Sequence, residues 1–267
     1  MATTNKVIRG ELKRGDITSV VSFGCLHMGK ESKALKQILF NYVADTSPYG
    51  LISGGDLVDA GAFRHTARNG EGGKLTPAQL TRAMEKDYEY TREVVNCLTP
   101  WVQWSAFIHG NHDFRHEKVS KENELFRNSL SYETYKKVWT PEVNYHIKDY
   151  DLGQEFHLGR AKFIHGRYYG KNHLRQHYDT HGPNTYYWHT HERSEISCKK
   201  NSFTNAPIVA TLGCGEKILP DWMNGAPHNW VNCFQQWYFE PDGTYQMYNI
   251  VVEKNRAIVP GGKIYKP

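Results

Sequence analysis

The spacing of hydrophobic residues divides the chain into a first part in which strands and helices alternate and a later part made mostly of strands. Residues 17–23 (ITSVVSF) are rich in β-branched residues and end at Gly24, which predicts a buried strand. A short strand is also predicted over 50–53. Between them, apolar residues recur at helical spacing and predict an amphipathic helix over 32–45; they are Leu35, Ile38, Leu39, Tyr42 and Val43.

A second helix is predicted to begin at Thr76, since Thr76, Pro77 and Gln79 occupy the N-cap, N1 and N3 positions of a capping box. Residues 60–75 before it combine glycines with basic residues and lack periodicity, which predicts a surface loop. A strand over 101–108 and a charged helix over 117–138 are predicted after it. The apolar stripe of the second helix consists of Leu80, Met84, Thr91, Val95 and Leu98.

Short β-like runs dominate the chain beyond Asn144, and no internal repeat is present. They lie at 161–164, 185–188 and 207–212, followed by a hairpin of 234–239 and 245–251 joined by the turn sequence EPDG. Alternating strands and helices followed by strands indicate two sheets with helices outside them. We therefore expect one domain over residues 1–252 and a loosely held C-terminal tail over 253–267.

Composition narrows the class of protein. The 267 residues are 39% hydrophobic, enough for a full core, and the net charge of +5 suits a phosphate-bearing partner. No apolar run is long enough for a membrane span, and the polar N-terminus does not read as a secretory signal, so a cytoplasmic protein is expected. Five cysteines without a CxxC pair predict reduced thiols, whereas fourteen histidines point to metal chemistry.

Metal-competent side chains follow directly after several of the β-like runs. They lie in CLH at 25–27, GDLVD at 55–59, GNHD at 110–113, and HG at 165–166 together with HTH at 189–191. Alternate residues of an extended segment point the same way, so CLH and HTH can each present two donors to one site. A carboxylate such as Asp56 can bridge two cations, and two metal ions about 3.5–4 Å apart can clamp a phosphoryl group during its displacement.

In this order the segments resemble the calcineurin-like metallophosphoesterase superfamily, whose pattern is DxH, GDxxD, GNHD or GNHE, an isolated His, and GHxH. The resemblance extends from about residue 17 to 191 and thus covers most of the chain. It implies an α/β (α+β) protein with a four-layer αββα sandwich of two mixed β-sheets flanked by helices. It also implies a dinuclear metal site at the strand ends, holding two divalent or mixed-valence ions, with Mn, Fe or Zn expected.

The resemblance also implies a role for each matching residue. His112 would stabilise the phosphoryl oxygens or protonate the leaving alkoxide, Asp113 would orient His112 or be structural, and Asp59 would support a ligand or cap a helix. A metal-bound hydroxide would attack phosphorus in line. One metal would be held by Cys25, His27, Asp56 and His191, and the other by Asp56, Asn111, His165 and His189.

Two positions depart from the family pattern. Cys25 stands where the family has an Asp, and Trp188 stands where it has the Gly before HxH. A thiolate ligand would favour iron, zinc or cobalt over magnesium, whereas the alternative is an inert buried thiol. Trp188 has two possible roles: it lines the cleft and stacks on a base, or it packs in the interior.

The sequence indicates the substrate less specifically than it indicates the metal site. Arg64, Arg115 and Arg167 are candidates for binding a substrate phosphate. The segment 167–181 mixes basic and aromatic residues, which fits a nucleic-acid contact or an amphipathic helix.

The GNHD motif resembles that of the nucleases and phosphodiesterases of the superfamily, which include small phage and bacterial members. The first hypothesis is therefore a phosphodiesterase or nuclease acting on nucleic acid or nucleotides. A phosphomonoesterase using the same site is the alternative, followed by a non-catalytic interaction scaffold.

Overall fold

The computed structural model describes residues 6–63, 75–122, 124–127, 131–197, 208–220, 223–225 and 228–267. These residues form two β-sheets and the helices that cover them. The strands are β1 (Val7–Arg9), β2 (Thr18–Phe23), β3 (Gly50–Ser53), β4 (Trp104–Ile108), β5 (Tyr145–Ile147), β6 (Glu155–Leu158), β7 (Ala161–Phe163), β8 (Thr185–Tyr187), β9 (Arg193–Ser197), β10 (Ile208–Leu212), β11 (Cys233–Phe239), β12 (Tyr245–Glu253), β13 (Arg256–Ile258) and β14 (Ile264–Tyr265).

The helical segments include short turns as well as regular α-helices. The segments Gly61–Phe63, Thr99–Trp101 and Glu124–Phe126 are single 3₁₀ turns, and Tyr135–Trp139 is a π-helical turn. The helices are α1 (Lys33–Thr46), α2 (Pro77–Leu98), α3 (Phe114–Glu122), α4 (Tyr132–Thr134), α5 (Asp149–Leu152) and α6 (His173–His181).

The larger sheet has the strand order β14-β13-β12-β11-β2-β3-β4-β5. Its strands β2, β3, β4 and β5 are parallel, while β11 to β14 are antiparallel to their neighbours. The smaller sheet has the order β1-β6-β7-β8-β10-β9 and is also mixed. Because β2, β3 and β4 run parallel side by side, the loops that follow them emerge at the same edge of the sheet.

Three of the interior clusters formed by the described residues lie between the layers. The cluster between the sheets includes Trp237 and Phe163, and its members are almost completely buried. A second cluster packs α1 and α2 on the outer face of the larger sheet, and α6 covers the smaller sheet through a third. The layers therefore run helix, sheet, sheet, helix, which confirms the predicted αββα sandwich with two mixed sheets.

The predicted helix starts are confirmed by their capping hydrogen bonds. Ser32 caps α1 by accepting from the backbone N–H of Leu35 at 3.3 Å, and Thr76 and Gln79 form the capping box of α2. Such caps satisfy backbone donors that a helix leaves unpaired at its first turn. The five apolar residues of α1 are all buried, as the spacing indicated.

Two predictions about secondary structure were wrong. The charged segment 117–138 is not one helix, because α3 ends at Glu122 and short turns follow. The segment 253–267 is not a loose tail: β13 and β14 extend the larger sheet, and Ala257 and Tyr265 are buried against its outer-face cluster. Strands β1, β5, β6 and β9 are short, and their hydrophobic patterns did not predict them.

Candidate metal centre

The loops after β2, β3 and β4 carry the first three sequence motifs to one edge of the larger sheet. The backbone N–H of Cys25 donates to the Gly55 carbonyl at 2.8 Å, and that of His27 donates to the Asp56 carbonyl at 3.0 Å. The two loops are thus tied in register, so that Cys25, His27 and Asp56 face a common space. The remaining motifs arrive from the smaller sheet, following β7 and β8.

Cys25, His27, Asp56 and His191, the residues expected at one metal, lie together. The Nε2 atoms of His27 and His191 are 3.2 Å apart, and Asp56 Oδ2 is 3.8 Å from His27 Nε2. Donor atoms of Cys25, His27 and His191 all lie within 4.8 Å of one another. Two nitrogens bound to one ion at about 2.0–2.1 Å in tetrahedral geometry would be roughly 3.3 Å apart, close to the observed spacing.

The four residues expected at the other metal also meet. His165 Nε2 lies 3.2 Å from Asp56 Oδ2, 3.0 Å from Asn111 Oδ1 and 3.3 Å from His189 Nδ1. The Nδ1–H of His165 donates to the Gly54 carbonyl at 2.8 Å, which leaves Nε2 directed at the other donors. Asp56 therefore contacts both groups of residues through the same carboxylate oxygen.

The backbone is strained at four of these positions. Cys25, His27, Asp56 and His191 have φ angles of 52°, 50°, 51° and 62°, in the left-handed region that residues with a Cβ rarely adopt. Each such residue costs of order 1–3 kcal/mol and persists only where the surrounding structure enforces it, typically at functional sites. The concentration of this strain on predicted ligands marks the loops as a specialised site.

The electrostatics of the cluster follow from burial and close charges. Burial opposes ionisation of Asp56, but His165 and His112 outweigh it and hold the pKa of Asp56 well below its usual range. Burial also favours neutral His165, yet the Asp56 carboxylate raises the pKa of His165 to about 9. Burial raises the pKa of the Cys25 thiol well above its usual range, and Asp56 adds to this effect.

His112 stands beside the ligand cluster and is held through one ring nitrogen. His112 Nδ1 lies 2.8 Å from the Asp59 carbonyl and 2.9 Å from an Arg115 guanidinium nitrogen, which itself donates to that carbonyl at 2.7 Å. The backbone N–H of His112 donates to Asp56 Oδ1 at 2.8 Å. Within the described part of the chain, the hydrogen bonds of this ring all use Nδ1, so Nε2 is available to a bound molecule.

Asp113 holds backbone rather than His112. Its Oδ2 accepts from the N–H groups of Asp56 at 2.7 Å and Gly110 at 3.0 Å. Burial, together with nearby Asp56, raises the pKa of Asp113 to about 6. Of the two roles considered for it, these contacts favour the structural one, because Asp113 ties the loops after β3 and β4 together.

Trp188 belongs to the interior, so the idea that it stacks on a base was wrong. Its side chain is completely buried, and its ring is stacked with Phe163 at a centroid distance of 6.4 Å. A Cβ on Gly54 would lie 2.1 Å from Trp188 Cδ2, and one on Gly24 would lie 2.6 Å from Cγ. The indole thus fills the space directly beneath the loops that carry Cys25 and Asp56.

The three arginine candidates differ in position. Arg115 lies beside His112, as described above, whereas the Arg167 guanidinium donates to the carbonyls of Asp149 and Tyr150 and does not line the cleft. Arg64 lies outside the described residues. Of the segment 167–181, residues 173–181 form α6, whose His173 and His177 are buried against the smaller sheet.

A cavity of about 280 Å³ opens over the cluster and reveals residues that no motif indicated. Glu216 reaches it from the loop after β10, Trp230 contacts His191 with ring centroids 4.3 Å apart, and Lys30 pairs with Asp59 at 2.9 Å. These residues could not be found from local sequence, since isolated Glu, Trp and Lys residues carry no pattern. The cavity lining consists of His27, Lys30, Asp56, Asp59, Asn111, His112, His189, His191, Glu216 and Trp230.

Comparison with known proteins provides evidence that is independent of this geometry. The family model for calcineurin-like phosphoesterases matches residues 18–245, a span that contains every predicted ligand. A search of curated proteins found no match. Where the chain is described, no helix has both the length and the apolar character needed to cross a bilayer.

Several solved structures overlap with most of the chain. Vps29 from Entamoeba histolytica complexed with Zn²⁺ shares 10% identity, covering 94% of this chain and 98% of that one, with a TM-score of 0.47. Vacuolar protein sorting 29 from Cryptosporidium parvum shares 11% identity over 89% and 99% of the chains, with a TM-score of 0.45. The phosphoesterase YfcE from E. coli shares 13% over 92% and 96%, with a TM-score of 0.35.

Proposed function

Because the chain belongs to the calcineurin-like phosphoesterase family, we propose that it is a dinuclear, metal-dependent phosphodiesterase acting on nucleic acid or nucleotides. The observation that carries the proposal is the position of Asp56. Its Oδ2 lies 3.8 Å from His27 Nε2 and 3.2 Å from His165 Nε2, between two groups of metal-competent side chains. A carboxylate in that position is suited to bridge two cations.

The donor set fits two divalent metal ions. The Nε2 atoms of His27 and His191 face each other at 3.2 Å, and donor atoms of Cys25, His27 and His191 all lie within 4.8 Å of one another, which one ion can span. Cys25, His27, Asp56 and His191 would hold one ion, and Asp56, Asn111, His165 and His189 the other. Bound there, the ions would activate a water molecule and neutralise charge on the phosphoryl oxygens.

His112 would act on the leaving group. Its Nδ1–H would donate to the Asp59 carbonyl, to which Arg115 also donates, so Nε2 would accept a hydrogen bond in the neutral ring and, in the doubly protonated ring, donate to a phosphoryl oxygen or give a proton to the departing alkoxide. Its backbone N–H also holds Asp56 Oδ1 at 2.8 Å. The same loop therefore positions the proton donor and the bridging carboxylate.

The rim of the cavity favours a diester of a nucleotide over a simple monoester. Trp230 lies against His191, and Tyr169, 82% exposed, lies 6.3 Å from the His189 ring, so aromatic faces flank the donors. Aromatic side chains in such positions stack on bases. Among the described lining residues Lys30 is the sole Lys or Arg, and it is paired with Asp59. Beyond the two proposed metal ions, the described lining therefore offers no further Lys or Arg for the second negative charge of a monoester, which suits a diester better.

Cys25 would influence which metal is bound. A soft sulfur ligand favours iron or zinc over magnesium, and the imidazole-rich remainder of the set suits the same metals as well as manganese. Manganese, iron and zinc are therefore the ions with which activity should be measured.

The test compares hydrolysis of bis-p-nitrophenyl phosphate with that of p-nitrophenyl phosphate, in protein loaded with each metal. We expect the diester to be hydrolysed with the higher kcat/KM. The His112→Ala variant should keep both metals and lose about 10²–10⁴-fold in turnover. His157→Ala is the matched control, since His157 lies on β6 and outside the cavity. Preference for the monoester would instead favour a phosphomonoesterase, and absence of both activities in metal-loaded protein would refute the proposal.

A further inference from the structure

Asp149 is a buried carboxylate that holds the loop of a predicted metal ligand and lies outside every motif of the sequence. It is 3% exposed and is the first residue of α5, which follows β5 of the larger sheet. Its Oδ2 accepts a hydrogen bond from the backbone N–H of His165 at 2.7 Å and another from that of Gly166 at 3.2 Å. Few carboxylates are this buried unless they are paired or accept hydrogen bonds. The carboxylate is thus directed at the backbone of the loop that follows β7.

The start of α5 is itself fixed to the loop that carries Asn111. The backbone N–H of His109, two residues before Asn111, donates to the Ile147 carbonyl at the end of β5 at 2.8 Å. His165 comes from the smaller sheet, and its Nε2 lies 3.0 Å from Asn111 Oδ1. Asp149 therefore connects the two sheets at the point where these two predicted ligands meet.

The direction of the His165 ring depends on its backbone as well as on its side-chain hydrogen bond. The Nδ1–H bond to the Gly54 carbonyl sets the rotation of the ring, whereas Asp149 fixes the backbone from which the ring extends. Ligand distances at a metal ion vary by only about 0.2 Å. A displacement of this backbone would therefore move Nε2 away from the place where it can share one ion with Asp56 Oδ2 and Asn111 Oδ1.

Asp113 provides a comparison within the same site. Its Oδ2 also accepts two backbone N–H groups, those of Asp56 and Gly110, but it connects two loops of the same sheet. The loops after the neighbouring parallel strands β3 and β4 start side by side, whereas the loop after β7 approaches from the other sheet. The approach of His165 therefore depends on contacts between the sheets, and the Asp149 carboxylate is one of them.

We propose that Asp149 is a positioning residue for the metal ion expected at Asp56, Asn111, His165 and His189. By accepting the N–H groups of the His165 loop, it holds the imidazole where Nε2 can bind that ion. The inference rests on the dinuclear site proposed above, in which this ion is one of two. The competing interpretation is that Asp149 contributes to the stability of the fold and leaves metal binding unchanged.

Metal affinity tests the role without any activity measurement. Asp149→Ala removes the acceptor, so one of the two Zn²⁺ ions should bind about 10–100-fold more weakly while the other keeps its affinity. Asp149→Asn retains an oxygen acceptor in a side chain of the same shape and should rescue binding. Asp151→Ala is the matched control, because Asp151 lies on the same helix and pairs instead with Lys121 and Lys148, at 3.1 and 3.3 Å. This variant should bind both ions as the wild type does.

Hydrogen exchange in metal-free protein separates this inference from the dinuclear site. The amides of His165 and Gly166 should be protected in the wild type and in Asp149→Asn, and should exchange faster in Asp149→Ala. Unchanged exchange, unchanged affinity for both ions, or equal weakening of both ions in Asp149→Ala would overturn the positioning role, as would failure of Asp149→Asn to rescue binding. Fewer than two ions in the wild type would contradict the dinuclear site, whereas the exchange comparison would still decide whether Asp149 holds the loop.

Discussion

Replacing Trp188 with alanine tests whether the metal loops depend on the indole beneath them. Trp188 is completely buried and lies against Gly24 and Gly54, the residues that precede the loops of Cys25 and Asp56. Its own backbone N–H donates to the His165 carbonyl at 3.1 Å. The side chain therefore supports two of the loops that carry predicted ligands, and the backbone of the same residue holds the loop of His165.

The magnitude follows from the buried area and the cavity. A buried tryptophan removes about 200 Å² of surface from water, which at about 25 cal/mol per Å² is about 5 kcal/mol. Measured losses for Trp→Ala in protein cores are about 3–5 kcal/mol. Since domains of this kind are stable by roughly 5–15 kcal/mol, the variant should remain folded but be strongly destabilised. The matched control is Trp101→Ala, because Trp101 is 46% exposed and should lose less than about 1 kcal/mol.

Urea unfolding of metal-free protein measures the loss in unfolding free energy. A second substitution, at Gly54, tests whether that loss comes from packing of the indole against the loop. Gly54→Ala alone should cost about 1–3 kcal/mol, because the new methyl group overlaps the indole. In the Trp188→Ala background the methyl enters the vacated space, so the double variant should lose at least about 1 kcal/mol less than the sum of the single losses. Strict additivity, or a loss below about 1 kcal/mol for Trp188→Ala, would refute the packing argument.

Two further predictions concern metal choice and acid stability. Cys25→Asp should keep the fold and shift the preferred metal toward manganese, measured as metal content after equal loading; an unchanged profile would show that Cys25 is not a ligand. The acid-stability prediction concerns Glu155. Burial raises the pKa of Glu155, but hydrogen bonds from His157 and His181 outweigh burial and lower this pKa from its usual 4.5 to about 2. Stability from ionised Glu155 is therefore present above pH 4.5 and lost as the pH falls toward 2, amounting to about 1–2 kcal/mol after screening. The difference in unfolding free energy between wild type and Glu155→Gln should roughly halve from pH 5 to pH 3, and a constant difference would contradict it.

The sequence predicted the parts of the site that short motifs encode. His27, Asp56 and Asn111 follow β2, β3 and β4, and these parallel strands bring their loops to one edge of the larger sheet. His165, His189 and His191 follow β7 and β8, so their approach depends on how the two sheets pack. The helix starts at Ser32 and Thr76 were equally predictable, since capping depends on residues within one turn. Both kinds of signal are local.

Features set by distant contacts could not be predicted in this way. Glu216 reaches the cleft because the loop after β10 hydrogen-bonds the Gly24 and Cys25 carbonyls, nearly two hundred positions away. The burial of Trp188 depends on the missing side chains of Gly24 and Gly54. The C-terminal strands β13 and β14 are only three and two residues long, too short for a hydrophobic pattern, and they are stabilised by pairing at the sheet edge. In each case tertiary packing decides the outcome.

The most direct test of the dinuclear site is the metal content of wild-type protein and Asp56→Asn, purified anaerobically without chelator and measured by mass spectrometry alongside hydrolysis of bis-p-nitrophenyl phosphate. The position of Asp56 between both ligand groups predicts about two equivalents of metal and diesterase activity in the wild type. Asp56→Asn should lose both ions and the activity while remaining folded. Two equivalents retained in Asp56→Asn, or one or none in the wild type, would contradict a bridged two-metal centre.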